Sequence, residues 1–359
     1  MALLVSLMST AWPLDAGAAE TRVGGVLTGS NRWGPEGSPY IVQSDIIIGH
    51  SAELYIDPGT RIVVATGRGA DSTLPQFDKL DSSAISIKVE GVLVCVGKKS
   101  KRITFAPAGA REGKLGWYGI IFNRANGGYC EMANTDITGA YNGITVKGCA
   151  PLVRNCVIEQ NNIGVNCLDG GGALVYNCII TGNFSAGIRV QGAKPHIENS
   201  IIFNNKNNGL WCDGSSKITF EYNCVYDNGD GNFLDCDPLL GVCTKRIGKK
   251  DSVDYADNVY VDPMFFGTRA DSIAFAHDVK MPTDKSLVGK IGLAAILGDT
   301  LRDSSYAHYK NRTYPRFTLS PYSPCVKTGN PAACFRNANN TRNDRGIYGG
   351  PKKFVRPKD

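Results

Sequence analysis

Between residues 142 and 228 the chain repeats one pattern of apolar and polar positions four times. The pairs Ile144/Val146, Val165/Cys167, Ile188/Val190 and Leu210/Cys212 each flank one residue that must face the other way: Thr145, Asn166, Arg189 or Trp211. Such alternation marks a strand with one covered face, and apolar residues at helical spacing are missing from these segments. Each pair follows a glycine (Gly143, Gly164, Gly187, Gly209), and each unit carries an asparagine in its second apolar run (Asn155, Asn177, Asn199, Asn223). A further Asn stands near the end of each unit, and the period is 21 to 24 residues.

A unit this short cannot bury its own apolar face, so units must stack, like over like, at about 4.8 Å. The aligned asparagines Asn155, Asn177, Asn199 and Asn223 are then expected to form a ladder, each amide bonding those above and below. The product is an all-β coil of parallel strands. Leucine-rich repeats share the period but need a Leu framework that is absent, and the six-residue period of left-handed β-helices is absent too.

Segments outside the four units extend the pattern. "AELYIDPGTRIVV" (52–64), "SIKVEGVLVCVG" (86–97), "ITFAP" (103–107) and "GWYGIIF" (116–122) precede it, and "VYDNGDGNF" (225–233) and "NVYVDPMF" (258–265) follow it, as does "RNDRGIYGGP" (342–351). With these the chain resembles the secreted bacterial right-handed parallel β-helix proteins of the pectate-lyase-like superfamily, over about residues 46–351. The resemblance implies a right-handed, single-stranded parallel β-helix. It says little of activity, because the group mixes enzymes with proteins of no known reaction.

The expected organisation is a signal peptide at 1–19, a lead-in at 20–45, the coil at 46–266 and an extension at 267–359. The signal peptide rests on a short apolar run before Ala16-Gly17-Ala18, although no basic residue precedes it. In the extension, Leu287, Ile291, Ala294, Leu297 and Leu301 have helical spacing, which predicts an amphipathic helix packed on the coil. The expected location is secreted or cell-envelope, without a transmembrane segment, since no later apolar run reaches about 20 residues.

Composition adds constraints. The 42 glycines fit a chain of many turns, and the net charge of +6 is dispersed. "GKKSKR" (97–102) has no aromatic neighbours for base stacking, so it reads as a solvated loop, and nucleic acid is not an expected partner. A monomer is expected. Of the twelve cysteines, Cys167 and Cys212 fall in an inward apolar column, and Cys156, Cys178 and Cys224 share a column with Ser200. Cys325 with Cys334, and Cys236 with Cys243, each close a short irregular loop and are the expected disulfides, with Cys130 and Cys149 a weaker third pair. Zinc has little support: no C-x-x-C occurs and the four histidines are scattered.

Candidate chemistry lies on the outer face. Trp211 as a stacking platform with Lys147, Asn166, Arg189 and Gln191 suits a sugar chain, so the expected function is an exported, non-catalytic scaffold that binds polysaccharide. The enzymatic alternatives are a calcium-dependent uronate lyase or a glycoside hydrolase. A hydrolase needs at least two converging carboxylates, and this face offers Asp213, with Asp169 displaced into a turn. A lyase built on Arg189, Asp213 and Asp169 would use arginine as base, against its high pKa. "DNGDGNFLDCD" (227–237) offers Asp227, Asp230 and Asp235 to calcium, the one cofactor left open, but departs from the calcium-loop pattern.

Overall fold

The computed structural model describes residues 20–66, 84–109, 115–126, 128–247, 251–265, 315–320 and 323–351. The expected signal peptide and the expected helix around 284–303 lie outside these residues. The chain winds as a parallel coil with three sheet faces. One face stacks β5 (Arg61–Val64), β8 (Ile103–Pro107), β11 (Thr135–Thr138), β14 (Val157–Glu159), β17 (Ile179–Thr181), β20 (Ile201–Phe203) and β23 (Cys224–Tyr226). The second stacks β6 (Ser86–Val89), β9 (Gly119–Asn123), β12 (Asn142–Lys147), β15 (Ile163–Leu168), β18 (Ala186–Gln191), β21 (Asn208–Trp211) and β24 (Gly231–Leu234). The long β3 (Tyr40–Ile48) joins these two stacks: its first half pairs with β5 and its second half with β6.

The third face is an eight-stranded sheet, β2 (Ser30–Trp33), β4 (Glu53–Ile56), β7 (Val92–Val96), β10 (Glu131–Ala133), β13 (Leu152–Arg154), β16 (Leu174–Tyr176), β19 (His196–Glu198) and β22 (Thr219–Glu221). β1 (Thr21–Leu27) pairs in parallel with β3, so the expected lead-in is itself part of the stacked sheets. A short antiparallel pair, β25 (Lys245–Ile247) and β26 (Asp251–Val253), follows the last rung. The fold is a right-handed parallel β-helix. Its core is made of like-on-like columns: Ile144, Val165, Ile188 and Leu210 are in register and fully buried, as are Val146, Cys167 and Val190.

The asparagine ladder exists, but at other positions from those expected. Asn161, Asn183, Asn205 and Asn228 are buried, and the Oδ1 of each of the last three receives the preceding asparagine's side-chain N–H, at 3.2, 2.8 and 2.8 Å along the column. The same oxygens also accept the backbone N–H of that preceding asparagine at 3.1 Å. This explains the glycines. A Cβ on Gly143, Gly164, Gly187 or Gly209 would come within 2.8–3.0 Å of a ladder amide nitrogen and within 2.5–2.9 Å of a backbone carbonyl of the next rung.

Asn155, Asn177 and Asn199 instead occupy the sharp bend after the third-face strands, with φ of 52°, 53° and 54°. Asparagine tolerates this left-handed region better than other residues with a Cβ. Their side chains turn outward to the C-terminal segment, where Asn155 Nδ2 donates to the carbonyls of Ile347 and Gly349 and Asn177 Nδ2 to that of Asp344. Asn199 Oδ1 accepts the Asn330 N–H at 2.7 Å. The fourth expected member, Asn223, is one place out of register: Tyr222 takes the bend (φ 53°), and Asn223 lies inward with its Oδ1 accepting the Ser200 N–H. Cys224 accordingly pairs with Ile201, not Ser200, and faces the C-terminal segment among Ile179, Val259 and Cys325.

Candidate functional site

On β12, β15, β18 and β21 Thr145, Asn166, Arg189 and Trp211 are successive partners, in the register expected; beside them Lys147, Leu168 and Gln191 are also partners, while β21 ends at Trp211, before Asp213. Their surroundings differ from the open face expected. Thr145 and Asn166 are only 3% and 4% exposed, and among the described residues Thr145 Oγ1 and Asn166 Oδ1 have no hydrogen-bond partner. Asn142 Oδ1 and Asn162 Oδ1 on the same two turns are likewise buried and unpaired. Asn166, expected among the sugar-binding residues, is thus buried in this structure.

Further along the column the face opens. The Arg189 guanidinium lies 4.6 Å from the centre of the Trp211 ring, held by cation–π attraction. One of its N–H groups donates to Gln191 Oε1 at 3.1 Å. Stacked and tethered in this way, the planar fork is oriented before any ligand arrives, and among the described residues no carboxylate pairs with it. Lys147 Nζ stands 3.9 Å from Asp169 Oδ2, a partly exposed pair of small energetic weight.

The acids on this face are committed elsewhere. Asp213 Oδ1 accepts the Ser216 hydroxyl at 2.8 Å and the Ser215 and Ser216 N–H groups at 3.1 and 3.0 Å, and Oδ2 accepts the Gly192 N–H at 2.7 Å. These bonds, the Ser216 hydroxyl foremost, hold its carboxyl well below the usual carboxylate range. A carboxylate so fully used fixes a turn and makes a poor general acid. Asp169 ends β15 in a left-handed bend, φ 48°. Asp213 and Asp169 each serve a turn beside the Arg189 strand.

Asp227 and Asp235 also sit in left-handed bends, φ 52° and 53°, and among the described residues no three His, Cys, Asp or Glu side chains gather as a metal would need. All twelve cysteines are free thiols, so neither Cys325–Cys334 nor Cys236–Cys243 is joined. Cys325 is buried against Cys224 while Cys334 is exposed, and the Cys236 sulfur lies 2.9 Å from that of Cys212.

The sequence reading missed a polar cluster on the third face. His196 Nε2 meets Glu198 Oε2 at 3.0 Å, and its Nδ1 meets the Tyr176 hydroxyl at 3.3 Å. Glu198 is buried and also accepts from Asn330 of the C-terminal segment. Glu221, the next-rung partner of Glu198, has its carboxyl pushed up by burial and then by the Glu198 charge. No sequence signal marks this group, because its members become neighbours through stacking and through a segment over 130 residues away. With its histidine bonded on both nitrogens and its carboxylate covered, the cluster fastens the C-terminal segment to the coil.

Residues 109–237 match the family model described as "Right handed beta helix region", in accord with the fold. No curated protein matches the chain. Among solved structures, pectate lyase Pel9A is similar over 90% of this chain and 97% of its own, at 12% identity and a TM-score of 0.41. The A-module of mannuronan C-5 epimerase AlgE4 from Azotobacter vinelandii is similar over 60% of this chain and 68% of its own, at 14% identity and a TM-score of 0.21. At these values the likeness bears on neither substrate nor activity.

Proposed function

We propose that this β-helix is an exported protein that binds an acidic polysaccharide without cleaving it. The observation that carries the reading is the Arg189–Trp211–Gln191 group: a guanidinium over an indole ring and tethered by an amide. A guanidinium fork matches a carboxylate in two parallel hydrogen bonds, and a uronate residue carries such a carboxylate. Lys147 adds a second cation two rungs away on the same face. Non-cleavage is supported by Asp213, whose oxygens are occupied by a turn.

The test is affinity electrophoresis of the chain through gels containing acidic or neutral polysaccharides, beside an assay for unsaturated and reducing-end products with and without calcium. Retardation by an acidic glycan, lost in Arg189→Ala and weakened in Trp211→Ala, is the expected result. Calcium-dependent product that disappears in Arg189→Ala would establish the lyase alternative instead.

A further inference from the structure

Cys212 closes the inward column of Val146, Cys167 and Val190, and the strand β21 ends just before it. On the next turn Leu234 pairs with Trp211, and the Cys212 N–H donates to the Leu234 carbonyl at 2.9 Å. Asp235 then adopts the left-handed conformation, φ 53°, which swings the following residue back over the column. Cys236 therefore arrives with its sulfur 2.9 Å from that of Cys212, inside ordinary non-bonded contact, although the two are 24 positions apart.

The stacked thiols Cys156 and Cys178 make the contrast. They occupy equivalent places on successive turns, each directly after a left-handed asparagine, Asn155 or Asn177, and each thiol donates to a carbonyl two residues back, Arg154 at 3.2 Å and Tyr176 at 3.4 Å, as that of Cys236 does to Leu234 at 3.2 Å. No left-handed residue stands between strand and thiol at Cys212, whereas one does at Cys236, and the two side chains converge. Rungs about 4.8 Å apart lie within the Cα separation a disulfide accepts.

We infer that Cys212 and Cys236 form a disulfide that staples the last two turns of the coil, with Cys236 as the entry point for a disulfide-bearing oxidant. Cys236 is the partly exposed member and Cys212 the buried one. The hydrogen bond from the Cys212 thiol lowers the Cys236 pKa, which favours Cys236 as the attacking thiolate. That thiolate attacks one sulfur of a disulfide such as glutathione disulfide and expels a glutathione thiolate, leaving a mixed disulfide on Cys236. Cys212 then attacks the Cys236 sulfur and expels the second glutathione. The protein loses two hydrogens, and two glutathione thiols carry them away with the two electrons.

The experiment incubates the full reduced chain with glutathione disulfide, blocks remaining thiols under denaturing conditions, and maps the peptides by mass spectrometry. The expected product is a Cys212–Cys236 linked peptide pair, absent from Cys212→Ser and Cys236→Ser and retained in Cys243→Ser. Oxidation should raise the thermal midpoint of the wild type by a few degrees and leave that of Cys236→Ser unchanged. Alkylation of both thiols after treatment, a stable glutathione adduct on Cys236 without closure, or linkage of Cys236 to Cys243 would each overturn the inference. These readouts need no glycan, so the staple stands or falls independently of polysaccharide binding.

Discussion

Two columns of asparagine run through the same turns of this coil with the same period and do different work. Asn161, Asn183, Asn205 and Asn228 point inward and bond one another. Asn155, Asn177 and Asn199 hold a left-handed bend and point outward to the C-terminal segment. The inward column needs the amide, because each side chain both donates and accepts in a dry interior. The bend column needs first the conformation, which is why Tyr222 can replace asparagine there while Asn223 slides into the interior. Identity of residue and period does not establish identity of role. The backbone conformation decides.

Asn183→Ala should be the most damaging single change to the first column. It removes the Oδ1 that receives both the backbone and side-chain N–H of Asn161, and it strands Asn205 Oδ1 from one donor. With several buried groups left unpaired, a loss of about 3–4 kcal/mol is expected in chemical denaturation. Gly164→Ala attacks the same column from its partner: a Cβ there would meet the Gly187 carbonyl at 2.5 Å and Asn183 Nδ2 at 3.0 Å. Overpacking against backbone should cost about 2–3 kcal/mol, measured in the same way. Were Asn183→Ala no worse than a surface substitution, the ladder would be decoration, and the glycine column would need another cause.

For the bend column the pair Asn177→Ala and Asn177→Gly separates conformation from contact. Both lose the bonds to Asn343, Asp344 and Gly346. Only alanine adds the left-handed strain, about 1–2 kcal/mol. Limited proteolysis should therefore cut residues 323–351 sooner in both variants, while the coil's own denaturation midpoint falls clearly in Asn177→Ala alone. Equal midpoints in the two variants would mean that the side-chain bonds, and not the bend, fix this position.

Why the coil was legible and the site was not follows from these columns. Alternation around Ile144, Val165, Ile188 and Leu210 is local, and stacking repeats it, so four units sufficed to read fold and register. The register failed where the repeat length changed: 22 residues separate Glu198 from Tyr176, and 23 separate it from Glu221. That single insertion displaced Asn223 and Cys224 by one place. The ladder's signal was present in the asparagines near each unit's end, but nothing local tells an inward asparagine from one in a bend. The column of Thr145, Asn166, Arg189 and Trp211 is in the register read from the sequence, yet its exposure was not legible, because Thr145 and Asn166 are buried. The Tyr176–His196–Glu198 cluster and the Cys212–Cys236 approach also depend on which turn lies above, a tertiary fact with no motif.

The smallest expected effect concerns a third kind of turn, the one closed by a carboxylate. Asp213 gathers the N–H groups of Gly192, Ser215 and Ser216 and the Ser216 hydroxyl, joining successive turns of the coil as the ladder amides do, but at the surface and through charge. Its pKa is lowered in the fold, so the folded chain holds this proton less readily than the unfolded chain does. Stability from this group is accordingly full above the ordinary aspartate pKa and is lost as pH falls through and below it. Because the carboxylate is exposed, solvent screening keeps the contribution small. Asp213→Asn should lower the thermal midpoint slightly at pH 7 and flatten its decline in acid, so that the variant and wild-type curves converge as pH drops. Curves that stay parallel down to the lowest accessible pH would show that the amide replaces the carboxylate without loss, and that surface charge adds nothing here beyond what the ladder amides supply inside.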